Sequence, residues 1–321
     1  MNGKTKLLVT GGTGFVGGAL IDQLSGSDEF EVFALVRRRD VDFPESVSII
    51  PTMSLAAFSA ELFPQGCDCV IHAAARVHVM DDSSVDPLAE YRKVNVDETL
   101  ALASQAASAG VRRFVFISSI KVNGEYTFPG FPFQADDLPA PVDPYGVSKM
   151  EAEMGLRALA ASSGMEVVII RPVLVYGPGV KANFYSMLNW LSRGLPLPLG
   201  FVKNKRSLVA MSNLVDLIVT CIRHPAAANQ IFLVSDGDDV STTELLQRLG
   251  VALGCSARLL PIPSALLILG ATMLGRREVA QRLCSSLQVD IRKNLDLLGW
   301  TPPKSIEESF NETALAFKQA R

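Results

Sequence analysis

Val9-Thr10-Gly11-Gly12-Thr13-Gly14-Phe15-Val16-Gly17 lies between a short apolar run, residues 6–10, and a stretch, 17–24, whose apolar residues recur at helical spacing. Glycines there permit a tight turn and let backbone approach a ligand closely. The helix that follows presents free N–H groups and a positive dipole end, both suited to phosphate. A glycine pattern alone is weak evidence. On a strand-to-helix junction it marks a dinucleotide cradle, formed here by Gly11, Thr13, Gly14, Phe15, Val16 and Gly17.

Working outward, segments 31–36, 69–73, 114–118, 167–171 and 230–234 are short and rich in Val, Ile and Phe, and helical stretches at 88–109 and 148–162 separate the later ones. Strands alternating with helices predict an α/β fold, a doubly wound parallel (Rossmann) sheet covered on both faces. After Arg171-Pro172 prolines and glycines thicken, at 176–179 and 194–200. The expected organisation is a dinucleotide-binding domain over 1–175 with a return segment near 208–236. Residues 176–207 and 237–321 would form a smaller, mixed but mostly helical substrate domain. The seam between two such domains is a usual ligand site.

Composition narrows the function. The 321-residue chain is 48% apolar with a formal net charge of only −3, so nothing resembles the basic stripe that nucleic acid requires. Five cysteines, an odd number, do not suggest a disulfide framework, and Cys67-Asp68-Cys69 reads as small core residues in a strand. No Cys/His cluster has metal-ligand spacing, so no metal is expected. The start of the chain lacks a signal-peptide pattern. The most apolar stretch, 265–274, is too short to span a bilayer and reads as a buried helix lining a cleft. A cytoplasmic protein without a membrane partner is the expectation.

The second strand bears on the cofactor. NAD enzymes usually end that strand with Asp or Glu, which binds the adenosine ribose. Here it ends in Arg37-Arg38-Arg39. A guanidinium pairs well with a 2′-phosphate, so Arg37 and Arg38 favour NADP(H), with NAD(H) the alternative.

Two further segments carry hydroxyls and a possible acid–base pair. Residues 114–119 end in Ser118-Ser119, at the strand end where ligands sit in open parallel sheets. Asp143-Pro144-Tyr145 opens a helix in which Lys149 follows Tyr145 by four residues, on the same face. A phenol has a pKa of about 10, and an ammonium nearby favours its anion. The Tyr–Lys spacing is common and means little by itself.

The ordered set is specific. Thr10-Gly11, Gly14 and Gly17, then His72-Ala73-Ala74, Asn95, Ser118-Ser119, Tyr145 with Lys149, and Arg171-Pro172 resemble the extended short-chain dehydrogenase/reductase superfamily, in its epimerase/dehydratase branch. The resemblance covers nearly the whole chain. It implies that Tyr145 is the acid–base, that Lys149 binds the nicotinamide ribose and lowers the tyrosine pKa, and that Ser119 hydrogen-bonds the reacting sugar oxygen. It also implies that Asn95 orders the site, that Ser118 is structural, and that His72, Ala73, Ala74, Pro172 and Val173 adjoin the cofactor.

Members of this branch commonly act on nucleotide sugars. The resemblance implies a UDP-sugar substrate, with Asn183, Arg206 and Arg282 toward the diphosphate, Leu199 toward uracil, and Val77, His78, Lys121 and Asn123 toward the sugar. Segments 74–80 and 118–125 look like a bacterial group that includes UDP-N-acetylquinovosamine dehydrogenases. No acid is evident in Ile50-Pro51-Thr52-Met53-Ser54, where the family places one near adenine. With Arg37 in place of the ribose acid, this favours an exchangeable cofactor. The leading expectation is therefore NAD(P)H-dependent reduction of a UDP-linked 4-keto-6-deoxy-N-acetylhexosamine in surface polysaccharide biosynthesis. The alternatives are a UDP-hexose 4-epimerase with tightly bound NAD and a non-catalytic nucleotide sensor. A dehydratase is disfavoured, because Ser119-Ile120-Lys121 offers no acid for a leaving hydroxyl. The resemblance further implies a homodimer through helices near 95–109 and 145–162, where Ala101, Ala103, Ala106 and Ala107 would allow close approach.

Overall fold

The computed structural model describes residues 3–38, 40–77 and 86–320. Nine strands occur among them: β1 (Thr5–Thr10), β2 (Phe30–Val36), β3 (Val47–Pro51), β4 (Cys69–His72), β5 (Arg113–Ile117), β6 (Glu166–Pro172), β7 (Leu174–Tyr176), β8 (Leu208–Ala210) and β9 (Ile231–Val234). All but β7 and β8 join one sheet of order β3-β2-β1-β4-β5-β6-β9, and every pairing is parallel. From β1 the chain winds outward to β3, then returns to lay β4 on the other side of β1. A crevice opens at that reversal, beyond the carboxyl ends of the strands.

The inner strands are continuously apolar because both sheet faces are covered. On one face α1 (Phe15–Ser25) packs Leu20, Ile21 and Leu24 against Leu7, Val9 and Ile71, in a cluster that α6 (Met211–Arg223) extends with Leu214 and Ile218. On the other, α3 (Glu98–Ser108) and α4 (Pro144–Ser163) supply Leu102, Ala103, Ala106, Ala152 and Leu156. The edge strand β3 escapes the sequence pattern because only Val47 of its five residues is buried.

The expected helix at 88–109 is interrupted. Helix α2 (Pro87–Arg92) passes through a π-helical turn, Lys93–Asp97, into α3. That wider turn carries Asn95, whose amide bonds the chain after β4, as described below.

A third core lies beyond β6. There β7 and β8 pair in parallel, and α5 (Ala182–Ser192), α7 (Thr242–Ala252) and α11 (Ile306–Gln319) enclose Tyr176, Phe184, Leu246 and Phe310. Capping boxes at Ser241/Glu244 and Ser305/Glu308 define where α7 and α11 begin.

One expectation fails in the C-terminal part. Helix α8 (Ser264–Met273), which turns into α9 (Arg277–Cys284) ahead of α10 (Arg292–Leu298), is not a buried cleft wall. None of its residues is buried. A helix apolar on every side normally belongs in an interior, but this one packs against α9 and is otherwise left bare. No helix among the described residues is long and apolar enough to cross a membrane. Cys67, Cys69 and Cys221 are free and buried.

Candidate active site

The crevice at the sheet reversal is a cleft of about 580 Å³. Its floor is the glycine loop between β1 and α1. Gly11 has φ +74°, and a Cβ there would lie 2.6 Å from the Ala74 backbone nitrogen. A Cβ on Gly17 would lie 2.2 Å from the Gly11 carbonyl oxygen. Loop, helix and the chain after β4 thus touch backbone to backbone. No side chain caps α1, so its first-turn N–H groups remain for a ligand. These features fit a dinucleotide pyrophosphate.

Thr13, Gly14, Phe15 and Val16 line the same cleft, as do Ala73, Ala74 and Val77 from beyond β4. Arg37 lines it at the end of β2 and is exposed, whereas Arg38 is exposed outside it. Ser118 and Ser119 stand at the end of β5, Tyr145 and Lys149 on α4, and Pro172 and Val173 at the end of β6. Every residue of the expected Ser119–Tyr145–Lys149 trio therefore faces the space above the glycine loop.

Local sequence explains how α4 presents its residues. Asp143 caps the helix by accepting from the Gly146 N–H at 2.7 Å, and Pro144 follows in the first turn. Tyr145, Lys149 and Glu153 then fall on one face at four-residue steps. Burial pushes the Tyr145 phenol up to about 12; a hydrogen bond from Ser119 opposes the rise, and the nearby Asp143 charge adds to it. The expected lowering by Lys149 is not what this site displays. Lys149 is itself buried, which pulls its ammonium down to about 7, with Glu153 working in the other direction. Its Nζ donates to the Ile117 carbonyl at 2.8 Å and sits 4.3 Å from the centre of the Phe116 ring.

Behind the trio lies a buried polar network that sequence reasoning missed. Glu153 accepts from Ser118 Oγ at 2.5 Å and from Arg171 Nη2 at 2.5 Å. The same arginine donates from Nη1 to Asn123 Oδ1 at 2.9 Å. The available signal was Glu153's position, two turns beyond Tyr145 on the same helical face.

Several of the expected site residues have partners within the fold. His72 is buried between the hydroxyls of Thr10 and Thr99, at 2.6 and 2.9 Å, and desolvation pulls its pKa to about 3. It therefore holds β4 against its neighbours and carries no charge. Asn95 accepts from the Arg76 N–H at 2.8 Å and donates to Ser148 Oγ at 3.0 Å, so it fastens the cleft wall to α4. Asn123 is buried, spending its amide on Arg171 and on the Gln134 carbonyl, and does not line the cleft.

Lys121 also points elsewhere, binding Asp143 and the Glu125 carboxylate. Arg206 donates to the backbone carbonyls of Arg282 and Ser285 and so ties down the end of α9. Arg282 is exposed, as is Asn183 in the first turn of α5. Leu199 is partly buried against the third core. None of these lines the cleft. His78 lies outside the described residues.

Residues 7–235 match the NAD dependent epimerase/dehydratase family. The chain belongs to that family. It is 50% identical over 315 residues to a Vibrio cholerae protein named UDP-glucose 4-epimerase, which covers 98% of this chain and 96% of the relative. Among solved structures, it resembles a UDP-glucose 4-epimerase from Thermotoga maritima with UDP-glucose, at TM-score 0.78 and 23% identity, covering 98% and 99% of the two chains. It also resembles MoeE5 in complex with UDP-glucose and NAD, at TM-score 0.75 and 26% identity, covering 98% and 99%.

Membership in the epimerase/dehydratase family makes the protein an enzyme of the extended short-chain type and sets aside the non-catalytic sensor. It also corrects the leading expectation. A full-length relative at 50% identity that carries an epimerase name overturns the 4-ketoreductase reading built on segments 74–80 and 118–125. Within those segments Lys121 is paired with Asp143 and Glu125, and Asn123 with Arg171 and the Gln134 carbonyl. The preference for NADP(H) likewise finds no support in an NAD-dependent family.

Proposed function

We propose that this chain interconverts the two configurations at carbon 4 of a UDP-linked hexose, with UDP-glucose and UDP-galactose as the pair to test first. The identity to an epimerase along nearly the whole chain carries the reading, with Ser119, Tyr145 and Lys149 together at the cleft. When bound, NAD supplies the oxidising and then the reducing equivalent for carbon 4.

The chain's own residues move the proton and hold the reactants. Tyr145 takes the proton from the 4-hydroxyl and later returns it, as general base and then general acid. Ser119 hydrogen-bonds the same sugar oxygen. Burial favours the neutral phenol, so the proton-accepting form needs positive charge beside it. Lys149 supplies that charge when protonated and holds the nicotinamide ribose.

A cofactor must stay bound if a sugar is to be oxidised, turned and reduced in one visit. The glycine loop and the wall at Ala73 and Ala74 support such retention. If two copies associate through α3 and α4, the contact uses their outer surfaces, because Ala103 and Ala106 are buried in the core.

Incubation with UDP-galactose and no added nucleotide tests the proposal. Formation of UDP-glucose, with NAD released when the protein is denatured, is the expected result. No conversion in either direction, with or without added NAD, would refute it.

A further inference from the structure

No residue of α8 lines the cleft, and its apolar surface is bare. Leu266 and Leu269 are 58% and 57% exposed, and Met273 and Leu274 at the turn into α9 are 82% and 81% exposed. The surface continues onto the neighbouring strand-like segment. Phe201 bridges Pro263 by backbone pairing and is itself half exposed, with Lys203 Nζ 4.8 Å from its ring centre.

Positive charge adjoins the tip of this patch, at Arg276 and Arg277. Between residues 257 and 289 the charged residues are Arg258, Arg276, Arg277 and Arg282 against Glu278 alone, in a chain of net charge −3. Arg276 and Arg277 are exposed just beyond the apolar tip. Apolar side chains beside a cationic tip complement an anionic lipid surface, where leucine enters the headgroup boundary and guanidinium pairs with phosphate. A second copy seated on the same patch would bring its own arginines to the same tip, against like charge.

The root of the hairpin is firmly held although its tip is bare. Asn204 Nδ2 donates to the carbonyls of Leu283 and Ser285 at 3.1 and 2.8 Å, and Thr242 Oγ1 donates to Leu283 at 2.7 Å. Arg206 adds its bond to the Arg282 carbonyl at 2.7 Å. An exposed apolar element on a rigid root presents a fixed surface to a partner.

We propose that α8 and α9 seat this protein on an anionic phospholipid bilayer. At ten residues α8 is about 15 Å long, roughly half the hydrocarbon thickness, so it lies on the membrane without spanning it. The sequence expectation of no membrane partner rested on that short length, which excludes a span but not a surface contact.

Sedimentation of the full-length protein with phosphatidylcholine vesicles, with and without phosphatidylglycerol, tests this. Binding should require phosphatidylglycerol and weaken as salt is raised. Joint Arg276→Gln and Arg277→Gln substitution should reduce binding about thirtyfold. Joint Leu266→Asp and Leu269→Asp substitution should abolish it, while both variants retain the parent's circular dichroism and its turnover of soluble substrate. Equal binding to both vesicle types, absence of binding, or variants that bind like the parent would overturn the proposal. So would a dimer that dissociates on Leu269→Asp substitution in a protein that ignores vesicles, since a second copy would then cover the patch.

Discussion

Arg171 and Glu153 oppose each other as a buried ion pair, the guanidinium Nη2 and Nε lying 2.5 and 3.0 Å from the carboxylate oxygens. One belongs to β6 and the other to α4. Through Ser118 the pair also holds the end of β5. Three segments that border the cleft are therefore registered by one carboxylate.

Breaking a buried pair by neutralising one partner leaves the other charge without compensation. Glu153→Gln should destabilise the protein by about 3–5 kcal/mol. Urea unfolding measures this, and a loss under about 1 kcal/mol would mean that water or another group replaces the carboxylate.

Lys149 predicts a distinctive pH dependence. Its folded pKa, about 7, lies below its ordinary value of 10.5. Between those values the unfolded chain binds the additional proton, so this group makes stability rise with pH. Tyr145, raised from 10.0 to about 12, acts oppositely but only above its ordinary value. Lys149→Met should therefore stabilise the cofactor-free protein at neutral pH, with the gain shrinking toward about pH 10. Unfolding midpoints of parent and variant across that range give the test; a constant difference would contradict it.

Arg37 is exposed at the cleft edge. With NAD as cofactor it meets no 2′-phosphate, so Arg37→Ala should leave nucleotide affinity within about twofold. A charge-assisted bond to a 2′-phosphate is worth about 1.5–3 kcal/mol, so a loss of tenfold or more would restore the case for NADP(H). Titration of both nucleotides into the stripped protein separates these outcomes.

Gly17→Ala forces a methyl group against the Gly11 carbonyl, 2.2 Å from where its Cβ must lie. Overpacking of this kind costs about 1–3 kcal/mol. Because the contact involves backbone in the glycine loop, most of the damage should fall on cofactor binding. Nucleotide fluorescence should show at least tenfold weaker binding, with far-ultraviolet circular dichroism unchanged.

Lys121 neutralises Asp143, the residue that caps α4 two positions before Tyr145. The Asp143 charge already favours the protonated phenol. Lys121→Met should unmask that charge and move the rising limb of the pH–rate profile to higher pH. An unchanged profile with lower activity throughout would indicate that Lys121 only shapes the loop.

The glycine loop was legible because its signal is local: a strand, a turn and a helix in immediate succession, with backbone sterics that exclude side chains. The inner strands were legible for a similar reason, since burial on both faces requires continuous apolar runs. Strand β3 was not, because an edge strand with one buried residue carries no such run. The partners of Asn123 and Arg206 were not legible, because a polar residue in a polar-looking loop gives no hint that Arg171, or the end of α9, will arrive to pair with it.

By itself, then, the sequence determined that the sheet is parallel and doubly wound, the cradle between β1 and α1, and the placement of Tyr145 and Lys149 on one helical face. Each depends on backbone geometry over a few residues. Only the tertiary structure decided which polar groups face the cleft, that burial drives the Tyr145 and Lys149 proton affinities apart, and that α8 remains uncovered. These properties depend on segments far apart in the chain, because desolvation and hydrogen-bond partnership are set by what packs alongside.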